Sequence, residues 1–294
     1  IPRILSTMPK SLFTDAKSSM LAYFDASSRK AYSETLLKAI LNENREKWGL
    51  SEKAGPRAFI NYLEKYGSLA PVELSSEEYG IKTRYIWKDF DPYSVAASIR
   101  EKAYCSHASA IFLHGLSNLI PNTIYVNAEQ SPKPPPSGEM TQVSIDRSFA
   151  KRQRSSNYIF DVESYSIVIL SGKNTNNLGV VEHKSPDDNT ILVTDIGRTL
   201  IDCAVRPGYA GGLQNVLEAY QNAMPRVSIN RLRAHLKKLD HKYPYHQSIG
   251  YLMKRAGYAS SKLQILRDLG INFNFHLDYG IKDPDYDSEW RVFV

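Results

Sequence analysis

The sequence predicts an α+β protein in two parts, on three observations. Residues 33–67 hold two stretches of helical apolar spacing, and an alternating ribbon follows over 69–88. Short apolar stretches separated by polar turns recur between Asn122 and Thr194. Beyond Thr194 the spacing turns mainly helical, before a closing alternating segment. A chain of 294 residues fits two domains. Asp91-Pro92 marks the expected boundary between residues 1–91 and 92–294.

The elements are justified in order. SETLLKAILNENREKW places Leu36, Leu37, Ile40, Leu41 and Trp48 near helical spacing, with Ser33 as N-cap. In GPRAFINYLEKYGS, Pro56 suits the first turn of a helix and Gly67 its stop, while Phe59, Ile60 and Leu63 form an apolar stripe. LAPVEL and IKTRYIWK alternate as strands around the turn SSEEYG. Two helices, a turn and a two-stranded ribbon make the pattern of a winged helix-turn-helix. Residues 8–32, which begin MPKSLFTDAKSS, have two readings: they pack on that unit or mediate self-association.

A helix is expected from Ser94 through Ile99 to about Leu116. Strands are expected at NTIYVNA, TQVSID, SNYIFDV, YSIVILSG and NTILVTD, with SPKPPPSGE an irregular proline-rich loop. Helices follow at GRTLIDCAV, GGLQNVLEAYQNAM, SINRLRAHLKKL, HQSIGYLMKRAG and SSKLQILRDLG, and strands again at INFNFHLDYG and SEWRVFV. No internal repeat is visible.

Apolar residues make up 42% and charged residues 23%, the balance of a globular chain with a real core. No apolar run approaches the roughly 20 residues that span a membrane. No basic-then-apolar leader is visible, and two cysteines, Cys105 and Cys203, make no disulfide framework. A cytoplasmic location is the expectation. The net charge of +6 permits nucleic-acid binding. Its distribution is uneven. Arg226 to Arg255 holds eight basic residues and one acid, and RSFAKRQR holds Arg147, Lys151, Arg152 and Arg154.

Candidate sites follow. Arg57, Asn61 and Lys65 recur at i, i+4 and i+8 and share one helix face, where Arg reads guanine and Asn adenine in a major groove. Lys82, Arg84 and Lys88 on the ribbon are expected at phosphate or minor groove. Glu77 and Glu78 at its tip would repel phosphate and favour an interaction-only module instead. In YCSHASAIFLHGLS, His107 and His114 lie seven residues apart, whereas metal-binding histidine pairs on a helix sit one turn apart. A structural role, by packing and imidazole hydrogen bonds, is expected for both. In GVVEHKS, Glu182-x-Lys184 with Asp161 or Glu163 makes the alternative reading, a metal-dependent nuclease. Walker, GxGxxG, GxSxG and HExxH motifs are missing. The expectation is therefore no enzyme, no catalytic residue, no metal and no cofactor.

RYIWKDFDPYSVAASIREKAYCSHASAIFLHGL, followed later by TDIGRTLIDCAVRPGYAGG and KYPYHQSIGYLMKRAGY, resembles the AbiEi family of antitoxins and transcriptional regulators. These belong to type IV toxin–antitoxin and abortive-infection (phage-defence) systems. The resemblance runs from about Ser33 to the end; residues 8–32 depart from it. It implies a winged helix that binds inverted repeats in its own operon's promoter and represses it. It implies a C-terminal domain that counters a nucleotidyltransferase-type toxin without a stable complex, with no membrane role. Ser106, His107, His114, Arg198 and Asp202 fall in the family motifs as structural residues. The basic helix with Arg231, Arg233, Lys237 and Lys238, and the knot with Arg147, Arg152 and Arg154, form the expected antitoxin surface. Leu232, Leu236 and Leu239 supply that helix with its buried stripe.

Overall fold

The computed structural model describes residues 12–134 and 138–294; part of the proline-rich loop (135–137) and of the opening stretch (8–11) lies outside. The chain begins α1 (Lys17–Ala26), β1 (Ala31–Tyr32), α2 (Glu34–Asn44), α3 (Pro56–Tyr66), β2 (Leu69–Ser76) and β3 (Gly80–Trp87). Ser33 caps α2 by accepting from the Leu36 amide, and Pro56 opens α3, as expected. The stretch before β1 packs inward: Met20 and Phe24 of α1 are fully buried. Phe24 stacks on Trp87 at 5.0 Å and meets Tyr32 edge-on at 5.3 Å. Of the two readings for residues 8–32, the described part takes the first.

Past Asp91 the chain forms α4 (Pro92–Ser98), β4 (Tyr104–Cys105), α5 (His107–Leu113) and β5 (Thr123–Asn127). The single helix expected over 94–116 is thus broken. α4 stops at Ser98, and Lys102 in the turn beyond it and His107 at the start of α5 both take positive φ, 57° and 52°. Between them, Cys105 pairs with Val126 and Val193. The expected strand TQVSID is also corrected: it opens α6 (Gln142–Phe149). Thr141 and Ser144 form a reciprocal cap there, and the buried residues, Ile145 and Phe149, are four apart, a helical spacing. Next come β6 (Ile159–Val162), β7 (Tyr165–Leu170), β8 (Val180–Lys184) and β9 (Thr190–Thr194).

Nine strands join in the order β1-β3-β2-β6-β7-β5-β4-β9-β8. The β5–β7 and β4–β9 pairs are parallel and the others antiparallel. The sheet runs straight through the expected boundary, because Ser75 of β2 pairs with Asp161 of β6. The core does the same. Ala31, Leu74 and Ile86 pack with Tyr93, Val95, Ile124, Phe160 and Val193. Asp91 is fully buried there. Its carboxylate caps α4 at the Tyr93 amide (3.0 Å) and accepts from Ser94, Ser185 and Asn189 at 2.6, 2.8 and 3.0 Å. The dipeptide read in sequence as a boundary is a buried, hydrogen-bonded corner.

After Thr194 come α7 (Ile196–Val205), a 3-10 turn (Pro207–Ala210), α8 (Leu213–Ala223), α9 (Ile229–Leu239), α10 (Tyr245–Ala256) and α11 (Ser260–Arg267). A three-stranded sheet closes the chain, in the order β10 (Phe275–His276), β12 (Val292–Phe293), β11 (Tyr286–Asp287). These helices enclose their own core around Leu200, Tyr220, Ile249, Met253 and Trp290. The architecture is mixed α+β, with a largely helical second half. No described helix is long and apolar enough to cross a membrane.

Candidate functional site

Two surfaces carry the chemistry: an exposed helix face at the front and a cationic cleft at the back. On α3, Phe59, Ile60, Tyr62 and Leu63 are buried and fix the helix against α2 and β3. The opposite face then turns Arg57, Asn61 and Lys65 to solvent. Among the described residues none of the three has an ion pair or a hydrogen bond; Lys65 rests over the Tyr66 ring at 5.1 Å. Glu64 is exposed beside them.

The ribbon residues do not join this face. Lys82 donates to the Tyr158 hydroxyl at 3.1 Å and lies over the Tyr158 and Phe160 rings at 5.6 and 5.3 Å. Arg84 is buried, and its guanidinium donates to the Ser98 and Ile99 carbonyls at the end of α4, at 3.1 and 3.2 Å. Both therefore clamp the ribbon to the rest of the chain, which corrects their expected place at phosphate. The physical reason is the β2–β6 pairing, which makes the ribbon an interior part of a larger sheet. Lys88 is ion-paired to Asp25 at 2.6 Å.

The basic helix, α9, buries Leu232, His235 and Leu239 and half-buries Leu236. Arg231, Lys237 and Lys238 stay exposed, while Arg233 is half-buried with an unpartnered Nε. Arg147 and Arg152 are exposed on and just past α6, and Arg154 reaches the cleft.

The two motif histidines part company. His114 caps α5, and its Nε2 meets the Thr194 carbonyl at 2.6 Å. His107, at the first position of α5, turns instead into a cleft of about 550 Å³ between β7, α7 and the α9–α10 connection. Its Nδ1 is engaged by the Ser106 hydroxyl at 2.9 Å, and burial pushes its pKa down to about 4. Across from it, Arg198 and Asp202 sit one turn apart on α7 in a buried ion pair of 2.8 Å. Arg198 Nη1 also donates to the Leu178 carbonyl at 2.7 Å. Five cationic side chains line this cleft, Arg154, Lys173, Arg198, Arg206 and Lys242, against one carboxylate, Asp202. His241 joins them, burial pushing its pKa down to about 4, with a buried Nε2 that has no partner among the described residues. Tyr209, Tyr243 and Tyr245 supply ring faces.

Sequence spacing missed this convergence. His107 stood in one motif and Arg198 and Arg206 in another, Lys242 was read as one charge of a basic stretch, and His241 lay unremarked before it. The nuclease constellation, by contrast, is not assembled. Asp161 on β6 and Glu182 on β8 are five strand steps apart, on the order of 20 Å across the sheet. Glu163, in the β6–β7 turn, is no nearer in strand order, and Lys184 is paired with Asp188 at 3.4 Å in its own hairpin. Among the described residues no group of three or more His, Cys, Asp or Glu is placed to hold a metal ion.

No protein-family model matches the chain, and no curated protein does. One solved structure, the RV2827C protein from Mycobacterium tuberculosis, is similar with a TM-score of 0.53 and 14% identity, over 95% of this chain and 90% of that one. At that identity the likeness speaks to the fold alone, and it supports the mixed α+β architecture.

Proposed function

We propose that the chain is a DNA-binding transcriptional autorepressor and antitoxin of the type IV, abortive-infection kind, acting in the cytoplasm and not as an enzyme. The observation that carries the reading is the α3 face. Arg57, Asn61 and Lys65 stand in a row on a helix whose other side is anchored in a core, with no described partner to neutralise them. The order α1-β1-α2-α3-β2-β3, with β1 paired to β3 and β3 to β2, supports a winged helix-turn-helix in which α3 is the reading helix. Lys82 and Arg84 are left out of the DNA contact set. The resemblance of the sequence to the AbiEi family supplies the rest: inverted repeats in the operon's promoter as target, and a nucleotidyltransferase-type toxin countered without a stable complex.

Arg57→Ala is expected to weaken promoter binding by about 1–3 kcal/mol and to relax base preference, since a paired contact to guanine is worth that much. Gel shifts on promoter and scrambled fragments measure it. Equal binding by wild type and variant would remove α3 from the interface and favour an interaction module.

The antitoxin part is tested separately. Arg231, Arg233, Lys237 and Lys238 changed together to Ala are expected to leave the fold and the promoter shift nearly intact, the three exposed residues, Arg231, Lys237 and Lys238, each costing less than about 0.5 kcal/mol. Rescue of growth from the co-expressed toxin is expected to fail. Full rescue would take this face out of the mechanism.

A further inference from the structure

The cleft described above is a concave site with more positive charge than the fold uses: Lys173 is committed to the Leu239 and Asp240 carbonyls at 2.8 and 3.0 Å and Arg198 to Asp202, which leaves three cations. Among the described residues Arg154, Arg206 and Lys242 have no ion-pair partner, and the one carboxylate present is already held by Arg198. Like charges gathered around a partly dry hollow repel one another, which a bound anion relieves. Donors stand ready for it. Arg198 commits Nε and Nη1 to protein acceptors but not Nη2. His107 has Nδ1 engaged and no described partner at Nε2, and it is held at a φ of 52° that a non-glycine residue rarely adopts. His241 keeps its unpartnered Nε2 beside them.

A bare phosphate would need only the cations. This hollow also has tyrosine rings along its wall and apolar surface from Leu170, Val205 and Leu239. Its volume of about 550 Å³ lies in the range of small-ligand sites. We propose that the cleft binds a mononucleotide, with the phosphates on Arg198, Arg206 and Lys242 and the base against the Tyr209 face. The site is separate from the α3 face, so it stands or falls independently of promoter binding.

Calorimetric titration of the full chain at low salt tests this, with ATP, GTP, CTP and UTP, with pyrophosphate, and with a short single-stranded RNA. At least one nucleoside triphosphate is expected to bind saturably at one site per chain. Arg206→Ala with Lys242→Ala is expected to weaken it roughly tenfold or more, as loss of charge-assisted hydrogen bonds does, with the melting temperature nearly unchanged. Should that pair fail to fold, Arg206→Lys, which keeps the charge but loses the forked donor, is expected to weaken binding by a smaller factor. Tyr209→Ala is expected to weaken the nucleotide and leave pyrophosphate alone. Four results would each overturn the proposal: no saturable binding of any of the four nucleotides; binding undiminished in the cleft variants; pyrophosphate binding as tightly as the best nucleotide; or binding of the RNA without any mononucleotide.

Discussion

Gly250→Ala is expected to destabilise the protein by about 2–4 kcal/mol, although Gly to Ala in an open helix interior stabilises by roughly 1 kcal/mol. The reason lies in the ring that covers it. Trp290, in the closing segment, is fully buried, and its six-membered edge lies flat on α10 at Gly250. A Cβ built there would come within 2.0 Å of Cζ3 and 2.3 Å of Cη2. No side chain tolerates such an approach, so the indole must leave its seat. Displacing it forfeits much of what a buried Trp contributes, roughly 3–5 kcal/mol by truncation to Ala. Urea unfolding measures the loss. Trp290→Leu placed in the Gly250→Ala background is expected to cost less than it does alone, because the two positions share one contact. Additive losses would show that the ring and the glycine do not meet.

Acid is expected to unfold the protein earlier than its carboxylates alone would make it. His107 and His241 are both held neutral by burial, with pKa values lowered from 6.5 to about 4. Below 6.5 the unfolded chain takes up protons at these positions while the folded chain does not. Stability therefore rises with pH through this window: it is fully present above 6.5 and is lost progressively as pH falls towards 4. At pH 4.5 the loss is about 2–3 kcal/mol for each ring. Asp195 adds a later stage. Burial alone would raise its carboxyl, but bonds from His235 and the Arg198 amide outweigh this and hold it low, so its contribution disappears only as pH falls below the ordinary Asp range. Urea midpoints between pH 7.5 and 4.5 are expected to fall steeply in the wild type. His107→Gln with His241→Gln is expected to flatten that slope. An unchanged slope would mean that neither ring titrates in this window.

The front of the molecule was legible because its signals are local. Ser33, Pro56 and Gly67 sit at helix ends where backbone groups need them, and the apolar stripe of α3 follows one period. Even there, the fate of Lys82 and Arg84 was not legible. Which way a strand residue's charge points depends on the neighbouring strand, and β6 lies some 75 residues away in sequence. The break at Lys102 and His107 was hidden for another reason. Neither residue is a glycine, so nothing in composition marks a positive φ. α6 was misread because Val143 and Ile145 alternate, whereas the cap at Thr141 and the spacing of Ile145 and Phe149 decide for helix. The cleft required the chain to bring β7, α7 and the α9–α10 connection together. Each of its cations, taken singly, reads as an ordinary surface charge.

The claim that the front unit reads DNA through α3 is tested most directly by one comparison. Binding of the full chain to its own promoter is titrated against salt, alongside a variant with Arg57, Asn61 and Lys65 changed to Ala. The account predicts tight, salt-dependent binding of the promoter over scrambled DNA by the wild type. In the variant it predicts a loss of that preference and a salt slope smaller by roughly one to two, as contacts from Arg57 and Lys65 to DNA are removed. An undiminished preference and slope in the triple variant, or no promoter binding by the wild-type chain at low salt, would contradict it.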